Sequence, residues 1–476
     1  MGSGKALDSR LSARWLLLIA TLLALGLRLL WLDSKSLWLD EVDSIRVAKI
    51  GQETLWTGPM ESYHPPLFYG LLEGWLSFGE SEFILRLPMA IAGALSVPLV
   101  YMLAARVTDK PVAFTATWLA AVSPLLIWYS QEVRSYSWLT LVGLVTMVAL
   151  AWLLVRPRLG WWLLFVISLT TAYYLHFTAI LLLPVQAVLV VLFLATGRTT
   201  WLSVGLWLAG LVTATLALWP WLRTPAFSAF ASEVVSDTNY VVRLFRERFN
   251  IDLNLAAAAG PILLVGLLVA LALLVIFYLV VRRIDRNALR SLRERRGLQV
   301  SAVTLFVALL VASVVPRGYS LKRQLVALWP YVLLVFAWLW PWGRKNRLLL
   351  SVVLGLSLIA SLVTLAAVPK DQWREATAFI VAQQQPGDIV ILEPVYMTIP
   401  FDYYNHDRVA RVGLSFDAGP DALEQTLQPH NRAWLVRHQL DRDSLDRIQR
   451  WLGEHATLAS TTDFFRLEVQ LYQVLE

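Results

Sequence analysis

The chain has 476 residues, 57% hydrophobic and only 16% charged, with a mean hydropathy of +0.59, too apolar for a soluble domain of this size. It has no cysteine, which excludes disulfides, thiolate metal sites and cysteine nucleophiles. The net charge of +7 is uneven: from Lys370 onward 10 Lys/Arg face 16 Asp/Glu, net −6, which leaves +13 for residues 1–369 in short loops between apolar runs, a pattern that points to a bilayer and not to nucleic acid.

Apolar runs of about twenty residues, the length that spans the hydrocarbon core as a helix, occur at 13–32, 83–105, 111–128, 137–155, 160–175, 177–195, 201–221, 257–281, 298–315, 324–342 and 347–368. Backbone polar groups in lipid must be satisfied within the segment, so these runs predict a polytopic bundle of about eleven transmembrane helices. The first run carries Arg28 and has no signal-peptidase-like exit, which reads as a retained helix. The short segment 64–79 carries Glu73 and reads as a helix lying in the membrane interface, its two prolines suited to a helix start.

Loop charge orients the bundle. With the N terminus inside, the N-terminal tail and inner loops hold 18 Lys/Arg against 11 outside, so the N terminus is expected in the cytoplasm of a cell whose inner or plasma membrane holds the chain. An odd number of spans puts the C terminus outside. The polar stretches 33–63, 129–137, 173–176, 222–256 and 316–324 then share the outer face.

From about 369 the character changes. "WREATAFIVAQQ" reads as a helix, "GDIVILEP" and "RAWLVRH" as strands, "SLDRIQRWLGEH" as an amphipathic helix and "FFRLEVQLYQVLE" as a terminal strand. The expected organisation is a membrane domain over 1–368 and a small extracytoplasmic α/β domain over 369–476.

Several polar groups are candidates for chemistry. Asp40-Glu41 follows the first apolar run closely, and carboxylates at that depth are costly unless partnered or used. One reading is a solvated acidic loop; the other is a base that takes the proton of an acceptor hydroxyl. The chain has six histidines, of which only His64 and His176 lie in the membrane part. Each is either a structural hydrogen-bond partner or a substrate contact. No spacing matches a defined metal site, so no cofactor is expected, although a divalent metal is not excluded. In "YSQEVRSYS", Glu132, Arg134 and Tyr136 sit at the end of a span, with Glu132 and Tyr136 on one helix face. They either tie the bundle together by an ion pair or belong to a site. Arg317, Lys322 and Arg323 make an outer loop basic against the inside bias. A lipid headgroup or a bound phosphate would account for that charge. A carboxylate base and several phosphate-binding cations on one face suit group transfer from a lipid-linked phosphate to a hydroxyl. No nucleotide-binding signature is present. The rival reading is a transporter or flippase that binds a polar or lipid-phosphate substrate in an outer cavity. The absence of an internal repeat and the gathering of ionisable residues at one face speak against it.

"LDEV" at 39–42 followed by "HPPL" at 64–67 resembles the first extracytoplasmic loop of the protein O-mannosyltransferase family. The bundle with "SPLLIWYSQEVRSYS" is similar to the related bacterial membrane glycosyltransferases, including the aminoarabinose transferase of lipid A. The resemblance covers residues 15–340 and is most specific over 38–155. It implies the GT-C fold, a polyprenyl-phosphate-linked sugar donor and inversion at the anomeric carbon. By position it implies Asp40 as catalytic base with Glu41 shaping the site, His64 as the family's His-Pro-Pro histidine, and Glu132 and Arg134 as the second outer motif. Arg317, with Lys322 and Arg323, falls where such enzymes hold the lipid phosphate. The β-trefoil insert of the eukaryotic enzymes is missing, so a protein acceptor is not implied: the acceptor, whether lipid, glycan or protein, stays open. The partners expected are that donor, membrane lipids and an unidentified acceptor, with no nucleic acid.

Overall fold

A computed structural model describes residues 2–51, 64–224, 326–340, 344–414, 429–438 and 442–474, together with 323, 424–425 and 427. The chain divides into two compact units: residues 1–30, 47–75 and 87–364 form the first, and residues 31–46, 76–86 and 365–476 the second.

The first unit is helical. The whole of α1 (Gly2–Leu29) belongs to it, as does the C-terminal end of α2 (Leu39–Ile50). After α3 (Leu67–Leu76) comes α4 (Glu82–Val107), then α5 (Lys110–Ala121) and α6 (Pro124–Tyr129). The expected single span at 111–128 is thus broken at Val122–Ser123, where Pro124 cannot continue the backbone ladder and instead opens a new helix. There follow α7 (Tyr136–Val155), α8 (Leu159–Leu175), a 3-10 turn at Phe177–Leu181 running into α9 (Leu182–Ala195), and α10 (Trp201–Leu216). Beyond a one-turn helix at Trp219–Leu222 lie α11 (Trp329–Leu339) and α12 (Arg344–Ala367). Among the described residues, four helical stretches, Glu82–Val107, Tyr136–Val155, Phe177–Ala195 and Arg347–Ala367, are long and apolar enough to cross a membrane. Leu159–Leu175, Trp201–Leu216 and Val326–Leu339 are shorter apolar helices. The runs expected at 257–281 and 298–315 lie outside the described residues.

Small residues let these helices approach. A Cβ on Gly93 of α4 would stand 2.1 Å from Ser130 Oγ and 2.8 Å from Arg28 Nε. Arg28, fully buried in α1, donates to Ser130 Oγ (3.2 Å) and to the carbonyls of Ala24 (2.9 Å) and Ala121 (3.3 Å). Its charge is therefore spent in pinning α1 to the α6–α7 turn, consistent with the high cost of an unpartnered cation in lipid.

The second unit is α/β. Its downstream part runs α13 (Trp373–Gln383), β1 (Ile389–Glu393), α14 (Thr398–Asn405), β2 (Ala410–Gly413), β3 (Arg432–His438), α15 (Arg442–His455), β4 (Ala456–Phe464) and β5 (Leu467–Val474). The strands form one sheet in the order β2-β1-β3-β5-β4, parallel at β1–β2 and β1–β3 and antiparallel at β3–β5 and β5–β4. Every residue of β1 is buried, as an apolar strand flanked by two parallel neighbours should be. One face packs Val390, Leu392, Trp434 and Val436 against Trp373 and Ile380 of α13. The other packs Ile391, Ala433 and Leu435 against Ile448 and Leu452 of α15.

Candidate active site

Asp40 and Glu41 occupy the first turn of α2, where exposed backbone N–H groups favour negative charge. Their environments differ. Glu41 is fully buried, whereas Asp40 is half-buried. The Glu41 carboxylate accepts from Arg86 in bidentate fashion, Nε to Oε1 at 2.9 Å and Nη2 to Oε2 at 2.8 Å, and from Lys370 Nζ at 3.0 Å. Arg86 also donates to the carbonyls of Leu32 (3.0 Å), Lys35 (2.7 Å) and Ser36 (3.0 Å), so its five N–H groups are all engaged. Ser36 Oγ donates to Glu375 Oε2 at 2.7 Å, and the Leu37 N–H donates to Tyr404 Oη at 2.7 Å. Burial first, then the Glu82 carboxylate, push the Tyr404 hydroxyl up and keep it protonated. The segment 32–41 is thus held by side chains from α4, α13, α14 and Lys370, all within the second unit.

The remaining described candidates belong to the first unit. His64 and His176 stack with ring centroids 4.6 Å apart, and Phe177 lies parallel to His64 at 5.3 Å. Arg134 Nη2 donates to His64 Nε2 at 3.1 Å, which requires a neutral imidazole there. The Tyr136 ring packs 5.5 Å from His176 and lies 5.9 Å from the Arg134 guanidinium carbon. His176 Nδ1 accepts from the Thr178 N–H at 3.1 Å, so its proton sits on Nε2. That Nε2 is buried and has no hydrogen-bond partner among the described residues. Burial first, then the Arg134 and Arg323 charges, depress His176 to about 3. His64 is held well below its usual range by burial, then His176, Arg134 and Arg323. Arg323 therefore acts on both rings. Glu132 is buried in the α6–α7 turn, and its carbonyl accepts from the Arg134 N–H at 2.8 Å. That turn is fixed by Gln131, whose Nε2 donates to the carbonyls of Arg28 (3.0 Å) and Leu30 (2.9 Å).

Arg317 and Lys322 lie outside the described residues. Among the described residues, no three His, Asp or Glu side chains converge to hold a metal ion.

Sequence reasoning did not single out Arg86, Lys370 or Thr178. The first had a signal: an arginine inside the apolar run "EFILRLP" needs a buried partner. Thr178 had none, because capping of a ring nitrogen depends on the local turn.

Residues 63–223 match the model of the family described as dolichyl-phosphate-mannose-protein mannosyltransferase. No curated protein matches the chain by sequence. Among solved structures, the archaeal oligosaccharyltransferase AglB from Archaeoglobus fulgidus, in complex with an inhibitory peptide and a dolichol-phosphate, aligns with a TM-score of 0.50 at 12% identity, over 96% of this chain and 74% of that one. ArnT from Cupriavidus metallidurans, bound to undecaprenyl phosphate, aligns with a TM-score of 0.49 at 16% identity, over 95% of this chain and 97% of that one. With the fold of the archaeal protein and the mannosyltransferase-family match over residues 63–223, the chain is a GT-C-fold protein.

Proposed function

We propose that the chain is an inverting glycosyltransferase that moves one sugar from a polyprenyl phosphate to an acceptor hydroxyl on the outer face of the membrane. The observation that carries this reading is the pairing at the start of α2. Glu41 is locked by Arg86 and Lys370, and the half-buried Asp40 beside it is thereby held in a fixed first turn. Asp40 is the base. It takes the acceptor proton as the acceptor oxygen bonds to the anomeric carbon, and the bond from that carbon to the phosphate oxygen breaks with its electron pair leaving on the polyprenyl phosphate.

Arg134 and the Nε2–H of His176 serve as donors to the substrate, with His64 and Tyr136 as walls and Glu132 holding the turn. Arg317, Lys322 and Arg323 neutralise the phosphate that leaves. The family description, which names a dolichyl-phosphate sugar, and the dolichol-phosphate in the archaeal structure support a lipid-phosphate donor. An apolar cavity of about 510 Å³ within the first unit, lined by Leu103, Met147, Leu189 and Tyr331 among others, suits a prenyl chain. The N terminus is cytoplasmic and residues 369–476 are extracytoplasmic in this reading, and no metal takes part.

The test is transfer from a panel of polyprenyl-phosphate sugars by the purified protein, with and without a chelator. Asp40→Asn is expected to abolish transfer while donor binding persists, and the chelator to leave the rate unchanged. Near-normal turnover by Asp40→Asn would remove Asp40 as base.

A further inference from the structure

Three turns of the first unit meet at the ends of α7 and α8 opposite Tyr136 and His176. α7 runs from Tyr136 to Val155 and α8 returns from Leu159 to Leu175, so the turn between them stands about 30 Å from that pair, at roughly 1.5 Å per residue. Arg156 and Arg158 occupy this turn, Arg106 and Lys110 flank the turn from α4 to α5, and Arg198 lies in the turn from α9 to α10. The turns touch. Arg198 Nη2 donates to the Arg106 carbonyl at 2.6 Å. The Arg106 guanidinium carbon lies 3.1 Å from the centre of the Trp152 ring and the Arg156 guanidinium carbon 5.7 Å from it. Trp161 stacks on the same ring at 5.1 Å.

With five cations against Asp109, these three turns carry a net charge of +4. Asp109 is engaged as the cap of α5, its Oδ1 accepting from the Val112 N–H at 3.0 Å. Among the described residues, Arg106, Arg156 and Arg198 form no ion pair with a carboxylate; they lie on the rings of Trp152 and Phe193 instead. Helix dipoles do not offset the charge. α4, α7 and α9 end here and α5, α8 and α10 begin here, so about half a negative charge at each C terminus meets about half a positive one at each N terminus. Cations that only orient a bundle need no more than a place in the loops, and they repel one another when gathered. Guanidinium groups drawn to one ring and one carbonyl are a receptor for an anion, and their forked N–H groups fit phosphate.

The surroundings decide which phosphate. Leu159 at the start of α8 is 70% exposed, and Trp201 and Leu202 at the start of α10 are 68% and 66% exposed. A soluble anion would leave these side chains in water. Tryptophan beside cations at the ends of apolar helices instead marks the headgroup level of a bilayer, where basic pockets between helices take anionic head groups.

We propose that this end of the first unit holds an anionic phospholipid, its phosphate on Arg156 and Arg198 and its acyl chains against Leu159, Trp201 and Leu202. Arg106 adds its positive field. The lipid relieves the repulsion among the arginines and ties the three turns together.

The experiment is native mass spectrometry of the full chain released from detergent, titrated with phosphatidylglycerol and with phosphatidylcholine of the same acyl chains, each with and without excess inorganic phosphate. Phosphatidylglycerol is expected to be retained in preference to phosphatidylcholine and to resist displacement by phosphate. Arg156→Gln with Arg198→Gln, both at exposed positions, is expected to weaken its binding about thirtyfold, roughly fivefold for each cation removed. Lys110→Gln with Arg158→Gln, which leaves the ring contacts and the Arg198 hydrogen bond in place, is expected to weaken it as well. The assignment is overturned if the two lipids bind alike, if phosphate displaces the lipid, or if neither double variant weakens its binding. It is also overturned if Arg408→Gln with Arg450→Gln, the same loss of charge on the second unit, weakens the lipid equally.

Discussion

His176 shows how one turn prepares a side chain. The ring ends α8, and the N–H two residues on satisfies Nδ1, leaving Nε2–H buried and aimed at nothing in the described chain. Burial and the neighbouring arginines hold the ring neutral, with its pKa near 3 against an ordinary 6.5. The unfolded chain therefore binds a proton below pH 6.5 that the folded chain refuses, and stability is lost as pH falls through the window from 6.5 towards 3. Thermal unfolding in detergent is expected at a steadily lower temperature below pH 6.5. His176→Gln is expected to flatten that dependence, and an unchanged slope would show that His64 alone sets it.

At the scale of elements, the apolar runs were legible because a bilayer demands a minimum length, and α4, α7, α8, α9, α10 and α12 each lie on one of them. The break between α5 and α6 was marked by Ser-Pro and passed over. The helix α2 was missed for a different reason: it has no apolar stripe, and ion pairs from distant residues hold its start. In the second unit the buried strands β1, β3 and β5 were legible. The edge strands were not, since β2 is four residues long and β4 is exposed along most of its length, so neither carries an apolar pattern. The pairing of Arg134 with His64 was also hidden, because no sequence period links residues 70 apart. Close approach sets its own demand on α4. Gly93→Ala would drive a methyl group into Ser130 and Arg28, and a loss of about 1–3 kcal/mol is expected, read as a lowered unfolding temperature. Gly26→Ala, in open space, serves as the control.

Over the whole molecule, the second unit is assembled from three stretches of chain, 31–46, 76–86 and 365–476. Glu41 is the tie among them, paired with Arg86 and with Lys370, which lies 329 residues further on. Glu41→Gln would leave two buried cations facing a neutral amide. Removing one partner of a buried ion pair costs about 3–5 kcal/mol, and Glu41→Gln is expected to unfold at a correspondingly lower temperature; an unchanged midpoint would show that solvent reaches the cluster. The same tie bears on the order of synthesis. Glu41 leaves the ribosome 329 residues before Lys370, and Glu375 and Tyr404, which also hold the segment around Asp40, emerge later still. Until then the bundle can insert helix by helix with its proposed base still unset, so a nascent chain embedded in the membrane without those residues would be inert towards passing lipid-linked sugars, and activity would begin only once they have been made.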